Sequence, residues 1–84
     1  MNKEEIEQNI FQLLKKIAPE TEPSELSPTE NIREALGIDS YDFLQFIVAL
    51  DEKLQVQIPE DDYGKITSLS TLTDYLLNMK KSLS

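Results

Sequence analysis

Eighty-four residues and 9.6 kDa leave room for one small domain, read here as spanning residues 1–84. Neither cysteine nor histidine occurs, which excludes disulfides, thiolate nucleophiles, the common zinc sites and any Ser-His or Cys-His catalytic pair. Sixteen acidic residues against eight basic ones give a net charge of −8, a surface that repels nucleic acid and anionic lipid and attracts basic protein surfaces.

The N-terminal Asn2-Lys3-Glu4-Glu5 is charged, with no apolar stretch of signal-peptide length behind it. The longest apolar run, Phe46 to Leu50, is too short to span a membrane. The expectation is a cytoplasmic protein. A first helix is predicted from Lys3 to Ile17, because Ile6, Ile10, Leu13, Leu14 and Ile17 form one helical stripe. Acids at its start and Lys15 and Lys16 at its end suit the helix dipole, and Pro19 stops it. Residues 18–31 hold three prolines and read as a long irregular connection, pinned by Leu26, Ile32 and Leu36. Asn31 to Leu36 reads as a helical turn ended by Gly37 in a left-handed cap.

The second long helix is expected to start at Asp39 or Ser40, with Asp39 as N-cap, and to end near Leu54. Phe43, Phe46, Ile47, Leu50 and Leu54 mark its core stripe. Tyr41, Leu44 and Val48 mark another, more apolar surface than a small bundle needs from one helix, so part of it should be exposed. Val56-Gln57-Ile58 alternates and is extended before Pro59. Glu60 to Lys65 reads as a short helix. The last helix should run from after Ser68 to Lys80 or Lys81, with Leu69, Leu72, Leu76, Met79 and Leu83 inward and Tyr75 beside them. The predicted fold is all-α: three main helices, one short helix and a long first loop.

The informative segment is Leu36-Gly37-Ile38-Asp39-Ser40-Tyr41-Asp42-Phe43-Leu44. It puts a serine hydroxyl in the first turn of a helix, behind an aspartate and a glycine turn. On its own that is also ordinary capping chemistry. The surroundings are more specific. Ala49-Leu50-Asp51-Glu52-Lys53-Leu54, then Ile58-Pro59-Glu60-Asp61-Asp62, Lys65-Ile66-Thr67-Ser68-Leu69 and Asp74-Tyr75-Leu76 follow in order and without gaps. From Asn31 to Leu77 the chain resembles the acyl carrier protein family. The family shows a Leu-Gly-x-Asp-Ser-Leu turn, a helix ending Leu-Glu-Glu-x-Phe, an Ile-Pro, acidic residues, and Lys-Ile-x-Thr-Val entering a last helix.

The resemblance implies a small acyl-carrier-type four-helix bundle and a carrier, not an enzyme. Ser40 would be the attachment serine for 4'-phosphopantetheine, delivered covalently from coenzyme A by a phosphopantetheinyl transferase. Gly37, Asp39 and Tyr41 complete the attachment motif. The arm's thiol would hold acyl groups as thioesters, so a chain without cysteine or histidine can serve acyl chemistry. Acyl-loading and acyl-processing enzymes of fatty-acid, lipid or polyketide-type synthesis, bearing basic docking patches, would be the other partners. No nucleic acid, membrane insertion or metal is expected, and the chain should be a monomer.

Charge agrees with a docking role: Asp39 to Asp62 carries seven acids against Lys53 alone. Tyr41, Leu44, Gln45, Val48, Asp51 and Glu52 share one broad face of the second helix beside the serine, and are expected to receive partners. The alternatives are that Tyr41 and Leu44 pack on the proline-bearing loop and that the acidic face serves solubility only. The family stores acyl chains inside the bundle; Phe43, Phe46, Ile47, Leu50, Ile58, Ile66, Leu69 and Leu72 would line that space, collapsed when empty, with Phe43 near its entrance. Tyr41 stands where the family usually has Leu or Met, Gln45 where it often has Glu, Lys53 where it has an acid, and Phe43 where the residue is often small or polar. These departures point to a specialised carrier with a dedicated pathway. Two further readings are an acidic helical interaction module that is never modified, and a calcium sensor, which lacks its ligand loop.

Overall fold

In the computed structural model, which describes residues 2–83 and side chains through residue 81, the helices Lys3–Ile17, Ile32–Leu36 and Ser40–Leu54 each have an identifiable cap at both ends, and the last helix runs on to Leu83, past the expected end at Lys80 or Lys81. α1 (Lys3–Ile17) begins at Asn2, whose side chain accepts from Glu5 N at 2.9 Å while the Glu5 carboxylate accepts from Asn2 N. Its buried residues are Ile6, Ile10, Leu13 and Leu14; Ile17 is only half-buried. The loop that follows is better organised than its three prolines suggest. Pro23–Glu25 form a 3-10 turn, and Pro23 is fully buried, an anchor missing from the sequence reading. Leu26 and Leu36 pack against the core from its edge, and Ile32 is buried in it.

α2 (Ile32–Leu36) is capped by Asn31, which accepts from Glu34 N at 3.0 Å. It ends at Gly37 with φ 67° and ψ 31°, a left-handed turn that favours glycine. α3 (Ser40–Leu54) buries Phe43, Phe46, Ile47, Leu50 and Leu54. It ends at Gln55, also left-handed with φ 57°, and the chain doubles back so that Val56 N donates to Asp51 O. Val56–Ile58 is extended, with Val56 half-buried, Gln57 out and Ile58 buried, as alternation requires. Glu60–Lys65 is a 3-10 segment with no buried residue, and α4 (Leu69–Leu83) follows.

Ile6, Ile10, Leu14, Ile32, Phe46, Ile47, Leu50, Ile66, Leu72 and Leu76 have no solvent exposure and belong to one cluster. α1 packs on both α3 and α4. Met79 is half-buried rather than central, and the Leu83 side chain lies outside the described residues. Thr73, though polar, is buried beside these positions. Among the described residues there is no strand. One isolated bridge pairs Asn31 with Ser68, and Ile32 N donates to Thr67 O at 2.8 Å, so the caps of α2 and α4 are tied together.

Candidate functional site

Three local features place Ser40. Gly37 turns the chain out of α2, and Ile38 N donates back to Arg33 O at 3.0 Å, fixing the turn. Asp39 is extended, and its carboxylate accepts from Asp42 N at 2.8 Å, so the aspartate performs the capping. Ser40, the first residue of α3, is therefore free of that duty. It is exposed, and its hydroxyl has no hydrogen-bond partner among the described residues. An exposed hydroxyl at the start of a fifteen-residue helix lies where backbone N–H groups and the helix dipole favour a phosphate. Among the described residues no basic side chain is hydrogen-bonded to it.

Tyr41, Leu44 and Val48 follow on the outer face of α3, exposed at 66%, 41% and 46%. Gln45 and Glu52 are exposed with them. Tyr41 and Leu44 thus do not bury against the proline-bearing loop. Asp51 differs from its neighbours. It is half-buried, and its carboxylate accepts from Ile58 N at 3.4 Å. Burial pushes its pKa up from the ordinary carboxylate value, with the Ile58 amide acting against the shift. Asp51 stands at the edge of the face because the returning segment needs an acceptor there.

The departures noted in the sequence have structural settings. Lys53 Nζ donates to Gln12 Oε1 at 2.7 Å, joining α3 to α1, an inter-helix tie that an acidic residue could not donate. Phe43 is buried, with its ring 5.8 Å from that of Phe46 and tilted by 51°. The eight residues expected to line an acyl space, Phe43, Phe46, Ile47, Leu50, Ile58, Ile66, Leu69 and Leu72, are all buried in the single cluster.

In the acidic 3-10 segment, Asp62 is engaged: Tyr75 Oη donates to its Oδ2 at 2.5 Å and Lys65 Nζ lies 3.1 Å from its Oδ1. Those contacts lower the Asp62 pKa, Tyr75 foremost, and the same hydrogen bond pushes Tyr75 up to about 12. Among the described residues no group of three acidic side chains could hold a metal ion. Sequence reasoning missed the Asp62–Tyr75 link and the Lys80 Nζ donation to Leu54 O, at 2.9 Å, that caps α3, because in both the partner lies on a different element.

A family profile described as "Phosphopantetheine attachment site" matches residues 8–76. The chain belongs to the acyl carrier protein family. It is 35% identical over 81 residues to the acyl carrier protein of Cyanidioschyzon merolae, covering 93% of this chain and 89% of that one. It is 36% identical over 59 residues to the acyl carrier protein of Campylobacter fetus, covering 70% and 77%. A relative from Arabidopsis thaliana named "Acyl carrier protein 2, mitochondrial" is 28% identical over 76 residues, 90% of this chain and 60% of the relative. The solved structure of acyl carrier protein from Enterococcus faecalis superposes with a TM-score of 0.72 at 23% identity, over 94% of this chain and 99% of that one, which establishes the common fold. The carrier's cofactor is phosphopantetheine, and the exposed, unpartnered hydroxyl at the α3 N-terminus fits a phosphodiester link.

Proposed function

We propose that Ser40 bears the phosphopantetheine arm and that residues 1–84 act as one monomeric carrier domain. The observation that carries this is the division of labour at the turn: Asp39 caps α3, and the exposed Ser40 hydroxyl is left without a partner. The Ser40 oxygen would form the new bond to the phosphorus that remains with pantetheine as coenzyme A is cleaved. Its proton would pass to a base of the transferase, and adenosine 3',5'-bisphosphate would leave. When bound, the arm supplies a thiol that holds an acyl group as a thioester. The chain presents that group to separate enzymes and catalyses nothing itself.

Basic patches on the transferase and on acyl-loading and acyl-processing enzymes would meet Tyr41, Leu44, Gln45, Val48 and Glu52, with Asp51 contributing charge from the edge. The apolar cluster would open between α3, the Glu60–Lys65 segment and α4 to admit acyl cargo, with Phe43 at the mouth. A net charge of −8 suits an aqueous compartment, and we place the carrier in the cytoplasm. Among the described residues no helix is long and apolar enough to cross a membrane.

Intact mass after incubation with coenzyme A and a broad-specificity transferase tests the assignment. Wild type should gain one phosphopantetheine and Ser40→Ala none. Modification surviving in Ser40→Ala would move the site elsewhere. An unmodified wild type beside a converted control carrier would mean an interaction module that is never loaded.

A further inference from the structure

Arg33 is the single cation between residues 17 and 52, a stretch otherwise supplied with acids. Its guanidinium has no hydrogen bond or ion pair among the described residues, whereas Lys15, Lys53, Lys65 and Lys80 are all engaged. Arg33 is exposed, and with Asn31, Glu34 and Ile38 it lines a cleft of about 210 Å³. The backbone hydrogen bond from Ile38 N to Arg33 O holds residue 33 directly beside residue 38. Ser40 lies two residues further on, at most ~7.6 Å from Ile38 between Cα atoms, and an arginine side chain extends roughly 6 Å from its own Cα.

The electrostatics of that place are mixed. A phosphodiester on Ser40 gains from the α3 N-terminus but stands beside Asp39 and Asp42. Asp39 is held against the Asp42 amide and cannot turn away without losing the cap. Glu34, on the cleft wall, adds a further negative charge that a phosphodiester would meet there.

We propose that Arg33 is a positioning residue that pairs with the phosphodiester of the arm and lays the first part of the arm along the cleft over Ile38. The inference rests on Ser40 as the attachment residue. The contact is exposed, so it biases the arm between a docked and a free state by about 1.5- to 5-fold rather than locking it. A partner enzyme with its own cation can therefore take the phosphate over.

The experiment uses the loaded carrier and reads the ³¹P resonance of the phosphodiester, together with a nitroxide on the arm's thiol, unique because the chain has no cysteine. In wild type, raising salt should move the ³¹P shift and sharpen the nitroxide spectrum as the pair is screened. Arg33→Gln should start at the high-salt position and respond little; Arg33→Lys should keep part of the response. Intact mass and circular dichroism on each sample separate the outcomes. No loading of wild type overturns the Ser40 assignment itself. Full loading with coincident wild-type and Arg33→Gln spectra at every salt concentration overturns the Arg33 contact alone. If Arg33→Gln does not fold, a salt-invariant wild-type spectrum overturns the contact by itself.

Discussion

Replacing Thr73 by Val should make this carrier more stable. Thr73 is 1% exposed in α4, and its hydroxyl has no hydrogen-bond partner among the described residues. In the unfolded chain water satisfies that hydroxyl; in the core nothing does. Burying an unsatisfied hydroxyl costs about 1–3 kcal/mol in proteins. Valine keeps the branched shape, puts a methyl in place of the oxygen, and has nearly the same helix propensity. The expected gain is about 1–2 kcal/mol, or roughly 5–10 °C in melting temperature for a chain of this size. Urea and thermal unfolding followed by circular dichroism measure it, with Ser40 loading as a check that the surface is unchanged. Ser68→Ala is the opposing control. Ser68 is nearly as buried, but its hydroxyl accepts from Thr71 N at 3.2 Å and pairs with Thr71 Oγ1 at 2.9 Å. Its loss should cost about 0.5–2 kcal/mol. A lower urea midpoint for Thr73→Val than for wild type would show that the hydroxyl is satisfied after all, and the reasoning would fail.

Four further predictions concern charge and backbone. Tyr75 is held up to about 12 by its hydrogen bond to Asp62, so its contribution is complete below pH 10 and is lost as pH rises from 10 to 12; Tyr75→Phe should flatten unfolding free energy across that window. Asp62 has a depressed pKa, so on the acid side stability should fall as pH drops below the ordinary carboxylate value, and Tyr75→Phe should shrink that fall too. Asp51 has a raised pKa, so its ionisation lowers stability as pH rises above the usual carboxylate value. Asp51→Asn, which keeps an acceptor for Ile58 N, should be no less stable than wild type at neutral pH by urea titration, whereas Asp51→Lys should lose about 1 kcal/mol. Glu52→Lys, on the exposed face, should leave stability within about 0.5 kcal/mol and slow association with a basic partner in stopped-flow mixing. Gly37→Ala should cost about 1–2 kcal/mol in denaturation midpoint, through backbone conformation alone, since an added Cβ would meet no atom within 4 Å.

Helices were readable where apolar spacing and caps agree. The α1 stripe and the Asp39 cap of α3 are local signals, and both lie where the residues themselves dictate. The Ser40 turn was legible for the same reason: glycine, aspartate and serine each have a backbone role within a few residues. What the sequence hid depends on distant partners. Nothing near Pro23 announces that it fills a gap in the core. Nothing near Asp51 reveals that the chain returns through Gln55 to bring Ile58 N within reach. Thr73 reads as solvent-facing by type, and only packing against neighbouring helices puts it inside. The eight residues expected to line an acyl space form one face by periodicity, and the structure packs all of them into the core.

The tie between Asn31–Ile32 and Thr67–Ser68 bears on when the carrier can be modified. Synthesis runs from the N-terminus at about 5–20 residues per second, so Ser40 is made before Thr67 exists. Until then, α2 lacks the carbonyl that receives Ile32 N, and Ile32 lacks the Ile66 and Leu72 side chains of its core. The turn that sets Asp39 against α3 stands on α2. A nascent chain therefore displays the serine in sequence before it displays it in shape. With Ser40 as the proposed attachment residue, a transferase that reads shape would wait for α4 and load only chains that have finished folding.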